Sequence, residues 1–156
     1  MLAESIAIQT ELLQTCDIVV MGRRTYDVFA SSWPERSGEP YSDRINAMRK
    51  IVASTALTDP TWTNTEVVAS GLADRLRAVK SERGGDIVQY GFGAVSQLMV
   101  EHDLLDELQL WIHPQFVDAT ADDLLFRPGL EAVFDLAETR VLDNGIVLHT
   151  YVTHRH

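Results

Sequence analysis

The run Ile18-Val-Val-Met-Gly-Arg-Arg-Thr-Tyr26 constrains the fold more than any other stretch. A short apolar run that ends in glycine and passes into a helical pattern predicts a buried strand feeding a helix, as in α/β layers. Turns of this kind are where α/β proteins meet ligands. The first amides of the helix point outward, and the helix dipole favours an anion there. Arg23 and Arg24 add guanidinium forks suited to phosphate, and Thr25 is expected to open the helix. The stretch alone leaves two readings: a nucleotide-phosphate site, or a tight turn with two solvated arginines.

The rest of the chain fits such a layer. A helix is expected over residues 3–15, with Ile6, Leu12 and Leu13 at helical spacing and Ala3 and Ala7 between them. A strand at 17–21 follows, then the helix carrying Tyr26 and Phe29, which ends before Trp33-Pro34. Residues 34–48 read as a surface loop with a short helical turn, punctuated by Pro34, Gly38 and Pro40. Short strands are expected at 50–55, 66–69 and 86–90. An amphipathic helix over 72–83 is closed by Gly84-Gly85, and another helix runs from 94 to 101. A strand at 108–112 ends at His113-Pro114, and 115–131 is irregular and acidic. Strands at 133–142 and 146–153 flank Asp143-Asn144-Gly145, a strong hairpin signal. The expected class is α/β: a mixed, mostly parallel central sheet with helices on both faces and a C-terminal antiparallel hairpin. The 156 residues are expected to form one domain, 1–156.

Charge narrows the partners. The formal net charge is −10, which disfavours nucleic acid and makes a local cluster of arginines more informative. Cys16 is the only cysteine, so no disulfide can form within the chain, and it reads as a small buried residue. No apolar run approaches the ~20 residues of a membrane span, and no secretory leader is visible. The expectation is a cytoplasmic protein with no membrane partner. His113 reads as a strand-end residue, and the five histidines lack zinc spacing. Asp118, Asp122 and Asp123 read as a solvated loop without calcium-loop spacing, so no metal is expected.

Three places fall at the C-terminal ends of expected strands, the edge where open α/β sheets bind ligands. They are Gly22-Arg23-Arg24-Thr25, Ser54-Thr55 and Gly91-Phe92-Gly93-Ala94-Val95. The first offers cationic forks, the second hydroxyl donors, and the third a turn on which a diphosphate reaches backbone amides without meeting a Cβ. Together they suit a dinucleotide, and arginine with hydroxyls favours the extra ribose phosphate of NADP. Ser96 stands where the third glycine of the G-x-G-x-x-G fingerprint would be, so the classical dinucleotide fold is not supported.

The same motifs carry a resemblance. Met21-Gly-Arg-Arg-Thr-Tyr26, Ile51-Val-Ala-Ser-Thr55, Tyr90-Gly-Phe-Gly-Ala-Val-Ser-Gln-Leu98 and Leu105-Asp-Glu-Leu-Gln-Leu-Trp-Ile-His-Pro114 occur in an order that resembles the dihydrofolate-reductase-like superfamily. Within it, the chain is most similar to the reductase domain of the bifunctional riboflavin-biosynthesis deaminase-reductase, over roughly residues 10–153. The resemblance implies an NADPH-dependent reductase of a small heterocycle, pterin-like or an aminopyrimidine such as 5-amino-6-(5-phosphoribosylamino)uracil; a sheet left exposed without the family's first strand would need cover, so a homodimer is expected. It implies that Gly22, Arg23, Arg24 and Thr25 contact cofactor phosphates and that Ser54 and Thr55 lie at the adenosine-ribose phosphate. It further implies that Gly91 to Val95 receive the diphosphate, and that Tyr26 and Phe29 border the substrate.

Three departures qualify this. The family begins with a strand and a Ser-x-Asp-Gly stretch, whereas this sequence enters its first helix almost at Met1. The expectation is a chain shortened at its start, or a sheet completed differently. The family's glycine-containing turn after Leu-Asp-Glu-Leu reads Pro114-Gln-Phe-Val-Asp-Ala-Thr120, without glycine. Tyr90-Gly91 stands where dihydrofolate reductases carry paired glycines, so dihydrofolate reduction itself is not expected. No proton donor stands out; Glu4 and Glu11 are the carboxylates of the opening helix. The alternative is a non-catalytic member that binds nucleotide or forms dimers.

Overall fold

Strand β1 (Cys16–Gly22) carries apolar side chains on both of its faces, and Val19, Val20 and Met21 are each at most 1% exposed. Such a strand is stable inside a parallel sheet. The computed structural model, which describes residues 2–82 and 84–155, pairs β1 on both edges with parallel neighbours. They are β2 (Arg49–Ala53) and β4 (Asp86–Val88), and β3 (Thr65–Val68) adds to the far side of β2. The strand order is β3-β2-β1-β4. Helix α1 (Leu2–Gln14) precedes β1, α2 (Arg23–Ala30) and α3 (Pro40–Ala47) connect β1 to β2, and α4 (Leu72–Ser81) connects β3 to β4.

The fold divides into two compact units. One runs from Ile6 to Gly91 and holds the parallel sheet. The other joins the first turn of α1, through Ser5, to the chain from Phe92 onward. This second unit contains α5 (Ala94–Glu101), β5 (Glu107–Ile112), a short 3-10 turn (Ala121–Asp123), β6 (Phe134–Val141) and β7 (Val147–Thr153). Its strands form an antiparallel sheet in the order β5-β7-β6. The expected α/β class and C-terminal hairpin are present, with the strands shared between two sheets. Asn144-Gly145 makes the hairpin turn, with Gly145 at φ +86° and Leu142 N–H donating to Ile146 O at 2.9 Å.

Several local expectations are corrected. Residues 40–47 form a full helix rather than a loop, because Pro40 occupies the first turn, where its missing N–H costs nothing, and Tyr41, Ser42 and Ile45 turn inward. On α1 the buried side chains include Ser5, Ile8 and Leu13, whereas Ile6 is 53% exposed. Helix α4 ends at Ser81. Gly84 and Gly85 serve the start of β4 instead: a Cβ on Gly85 would stand 2.4 Å from the Thr15 carbonyl oxygen. The chain there is held by Gly85 N–H on the Asp17 carboxylate and by Asp86 N–H on Thr15 O. Arg83, where the sequence reading ends that helix, and His156 lie outside the described residues, as does the side chain of Ala3.

The first unit's core joins Leu13, Cys16, Val19, Met21, Tyr26, Tyr41, Ile45, Met48, Val52 and Trp62. Beside it lies Lys50, which is 0% exposed. Its ammonium donates to Asn46 O at 2.6 Å and Thr63 O at 3.1 Å and sits 4.4 Å from the Trp62 ring centre. No carboxylate pairs with it among the described residues. Burial therefore lowers its pKa from the ordinary 10.5 to about 8.

Between those two values the unfolded chain binds the proton more tightly than the folded one, so folding stability should rise as pH increases from about 8 to 10.5. Urea unfolding across that range should show the rise in the wild-type chain, by up to ~3 kcal/mol, and lose it in Lys50→Met. Parallel pH profiles for the two proteins would contradict this.

Candidate functional site

The strands of the first unit are parallel, so their carboxyl ends share one edge of the sheet. That edge carries Gly22 at the end of β1, Ser54-Thr55 just past β2, and Tyr90-Gly91 two residues past β4. The sequence-predicted residues of this unit are thus brought to one edge by the parallel register.

At β1 the strand passes into α2 with no intervening turn. Gly22 is the N-cap, in extended conformation and with no side chain capping the helix. Arg23 and Arg24 therefore occupy the first turn of the helix, and Thr25 follows them, a correction to the expectation that Thr25 opens it. The two arginines are not equivalent. Arg23 Nε donates to Asp27 Oδ1 at 2.9 Å, an ion pair along one helix face. Arg24 is exposed and makes no hydrogen bond or ion pair among the described residues. Its guanidinium is the cation left available to a ligand at this helix start.

Past β2, Ser54 Oγ accepts the amides of Ala56 at 3.2 Å and Leu57 at 3.0 Å. These bonds fix the turn and use the oxygen as acceptor, so the hydroxyl proton remains available to an anion. Thr55, beside it, is exposed. Past β4, Gly91 has φ +77°, and among the described residues no atom beyond its chain neighbours lies within 4 Å of where a Cβ would be. A side chain here would be strained in any surroundings, and the glycine leaves open space over the backbone.

An aromatic group stands beside this edge. Phe29 lies 5.8 Å from Tyr90 and 6.4 Å from Trp33, and Trp33 lies 4.8 Å from Tyr41 between ring centres. The Tyr41 hydroxyl donates to the Tyr90 hydroxyl at 3.2 Å. Desolvation raises the pKa of both phenols, so both are neutral through the ordinary pH range. The half-buried rings of Phe29, Trp33 and Tyr90 suit stacking on a planar heterocycle. Tyr26 is placed elsewhere: it is 4% exposed, packs on Trp62 and accepts the Trp62 amide at 3.4 Å. Sequence reasoning noted Tyr90 only as the residue in place of a glycine and missed its pairing with Tyr41, because only the fold brings residues 49 positions apart into contact.

In the second unit, Gly93 is the N-cap of α5, followed by Ala94 and Val95 in its first turn. Gly93, like Gly91, has no such atom within 4 Å of a would-be Cβ among the described residues. Phe92 O accepts a hydrogen bond from Arg127 Nη2 at 2.7 Å. The carboxylate of Glu4 accepts the Asp143 amide at 3.0 Å, and Glu11 is exposed. His113 is exposed, just past β5. Among the described residues no group of His, Cys, Asp or Glu is arranged to hold a metal. Cys16 is buried, and desolvation pushes its thiol pKa up, so it is inert. Among the described residues no helix is long and apolar enough to cross a membrane.

Comparison with known families decides the lineage. Residues 4–148 match the model of the RibD C-terminal domain. The chain belongs to the RibD C-terminal domain family. Solved structures agree on a dihydrofolate-reductase-like fold. A protein of Shewanella sp. PV-4 assigned to riboflavin biosynthesis is 21% identical, with a TM-score of 0.71 over 93% of this chain and 78% of that one. A pyrimidine reductase-like protein of Corynebacterium diphtheriae is 14% identical, with a TM-score of 0.59 over 93% and 80%. RibD of Acinetobacter baumannii is 12% identical, with a TM-score of 0.65 over 95% of this chain. This RibD-family chain spans 51% of that protein. No curated protein sequence matches the chain.

The two hydroxyls after β2 should separate by experiment. Ser54→Ala removes the acceptor for two amides and should lower unfolding free energy by about 1 kcal/mol, while Thr55→Ala should leave it unchanged. Urea titration of the two variants measures the difference. Equal stabilities would contradict the turn-fixing role of Ser54.

Proposed function

We propose that this RibD-family chain is an NADPH-dependent reductase of a small planar heterocycle, pterin-like or a riboflavin-pathway aminopyrimidine. The observation that carries the reading is the arrangement at the parallel-sheet edge. An exposed, unpaired Arg24 sits at an uncapped helix start, and Ser54 and Thr55 follow the adjacent strand. A doubly charged phosphate monoester needs a cation and hydroxyl donors, and these residues supply both. The adenosine-ribose phosphate of NADP is assigned to Arg24, Ser54 and Thr55, with Gly22, Arg23 and Thr25 framing it. Its diphosphate is assigned to the glycine turn Gly91-Phe92-Gly93-Ala94-Val95, where two positions leave open space for it.

When bound, the cofactor supplies a hydride from its nicotinamide. The protein's part is to orient the rings and exclude water. Phe29 and Tyr90 offer the substrate an aromatic wall, with Tyr26 supporting it from the core. A single buried thiol suits a reducing compartment, and we place the chain in the cytoplasm.

A homodimer belongs to the same reading. Strand β6 is an edge of the antiparallel sheet, and its Leu136 and Val141 are 58% and 74% exposed. Apolar side chains on an open strand edge favour pairing with a second copy. Sedimentation equilibrium giving a monomer at high protein concentration would contradict the dimer. The same apolar edge favours the second reading, a nucleotide-binding, dimer-forming member without catalysis. NADPH oxidation with a panel of pterins, pyrimidines and quinones separates the two readings, since only the reductase consumes NADPH.

The phosphate assignment has a sharper test. Arg24→Ala should weaken NADPH binding about tenfold or more and leave NADH binding nearly unchanged, whereas Arg23→Ala should affect both less because Arg23 is held by Asp27. Isothermal titration with both cofactors measures this. Equal losses of NADPH and NADH in Arg24→Ala would contradict the assignment.

A further inference from the structure

Arg127 lies in the irregular segment between β5 and β6, a stretch otherwise rich in acidic and apolar residues. Its Nη2 donates to Phe92 O at 2.7 Å and to Asp122 O at 2.8 Å. Its Nε is buried without an acceptor among the described residues. No carboxylate pairs with it there. A partly buried guanidinium satisfied only by carbonyls is costly, because buried charges are ordinarily paired with the opposite charge. Its position adds to that cost. Phe92 directly precedes the N-cap of α5, so the cation stands at the positive end of a helix dipole.

The geometry gives that expense a use. The turn Gly91-Phe92-Gly93 has a glycine on each side, and neither glycine is confined by neighbours around its Cα. The Gly93 amide donates to Ser96 Oγ only at 3.4 Å, a long bond that leaves the peptide before it in need of a second tie. The Phe92 carbonyl and the Gly93 amide belong to one rigid peptide plane and point in opposite directions. Tying the carbonyl to Arg127 therefore fixes the direction of the Gly93 N–H and of the helix start behind it. An anion at those amides would also offset the repulsion between Arg127 and the helix dipole.

We infer that Arg127 is a positioning residue: it holds the Phe92–Gly93 peptide so that the first amides of α5 are presented to a diphosphate. The inference rests on the proposed reading of the glycine turn as the diphosphate site of NADPH. It differs from a plain loop staple, which would lower stability without any selective effect on ligands.

The test compares Arg127→Met with the wild-type chain by isothermal titration. The expected result is an equal loss of affinity for NADPH and NADH, by about tenfold, with adenosine 2′-monophosphate bound as before because it lacks the diphosphate. Unchanged NADPH affinity, or equal losses for NADPH and adenosine 2′-monophosphate, would overturn it. If Arg127→Met does not fold, Arg127→Lys takes its place, with a smaller loss in the same pattern expected and the same contrary results overturning the inference. Amide exchange then separates this inference from the reading beneath it. Exchange at Gly93 and Ala94 should accelerate in the variant with the rest of the chain unchanged, whether or not cofactor binds. Unaltered exchange there would overturn the role of Arg127, whereas failure of the wild-type chain to bind NADPH would overturn the cofactor reading alone.

Discussion

Parallel pairing of β1 on both edges is the constraint from which the first unit follows. A strand flanked by β2 and β4 must satisfy its backbone on both sides and bury both faces, and Val19, Val20 and Met21 do so. Parallel neighbours require crossovers, which α2 with α3 and then α4 supply. The same geometry sends every strand's carboxyl end to one edge. Gly22, Ser54-Thr55 and Tyr90-Gly91 are neighbours at that edge because of pairing, with no sequence proximity among them. Close approach at the opposite end keeps the register. Gly85 passes against Thr15 and Asp17 with no room for a side chain.

The distribution of charge sharpens the site. The chain carries 13 lysines and arginines against 23 aspartates and glutamates, so most guanidinium groups find a carboxylate. Arg23, Arg44, Arg49, Arg75, Arg77 and Arg155 all do. Glu66 is the strongest such partner. Held by Arg75 first and also by Arg49, its carboxyl pKa falls to about 2. Among the described residues Arg24, Arg36, Arg127 and Arg140 pair with no carboxylate, and of these Arg24 and Arg127 stand at the start of a helix that follows a parallel strand or its turn. In an acidic protein, cations left without a carboxylate at helix starts are the places where an anionic ligand gains most.

What the sequence made legible was local in origin. The β1–α2 junction was readable because an apolar run, a glycine and a helical pattern lie within nine residues. The hairpin was readable because Asn144-Gly145 tolerates the backbone its turn needs. The strand-end residues were readable because each follows a short apolar run, which marks the carboxyl end of a strand. What was not readable depended on tertiary contact. Pro40 looks like loop punctuation in sequence but sits in the first turn of α3, whose inward face is defined by the core. Lys50 looks like an ordinary strand-flanking lysine, yet Asn46 O, Thr63 O and Trp62 enclose it. The different fates of Arg23 and Arg24 turn on one neighbour, Asp27, reached only once the helix begins at Arg23. Arg127 carries no motif, and its meaning comes from the Phe92 carbonyl 35 positions away.

The central claim is that the strand-end edge and the glycine turn hold the phosphates of NADPH. A two-dimensional amide NMR titration of the chain with NADPH tests it most directly, since each assigned backbone amide reports separately. The account predicts saturable shifts concentrated at Gly22 to Thr25, Ser54 and Thr55, and Gly91 to Val95. Shifts confined to other residues, or none at millimolar NADPH, would contradict it.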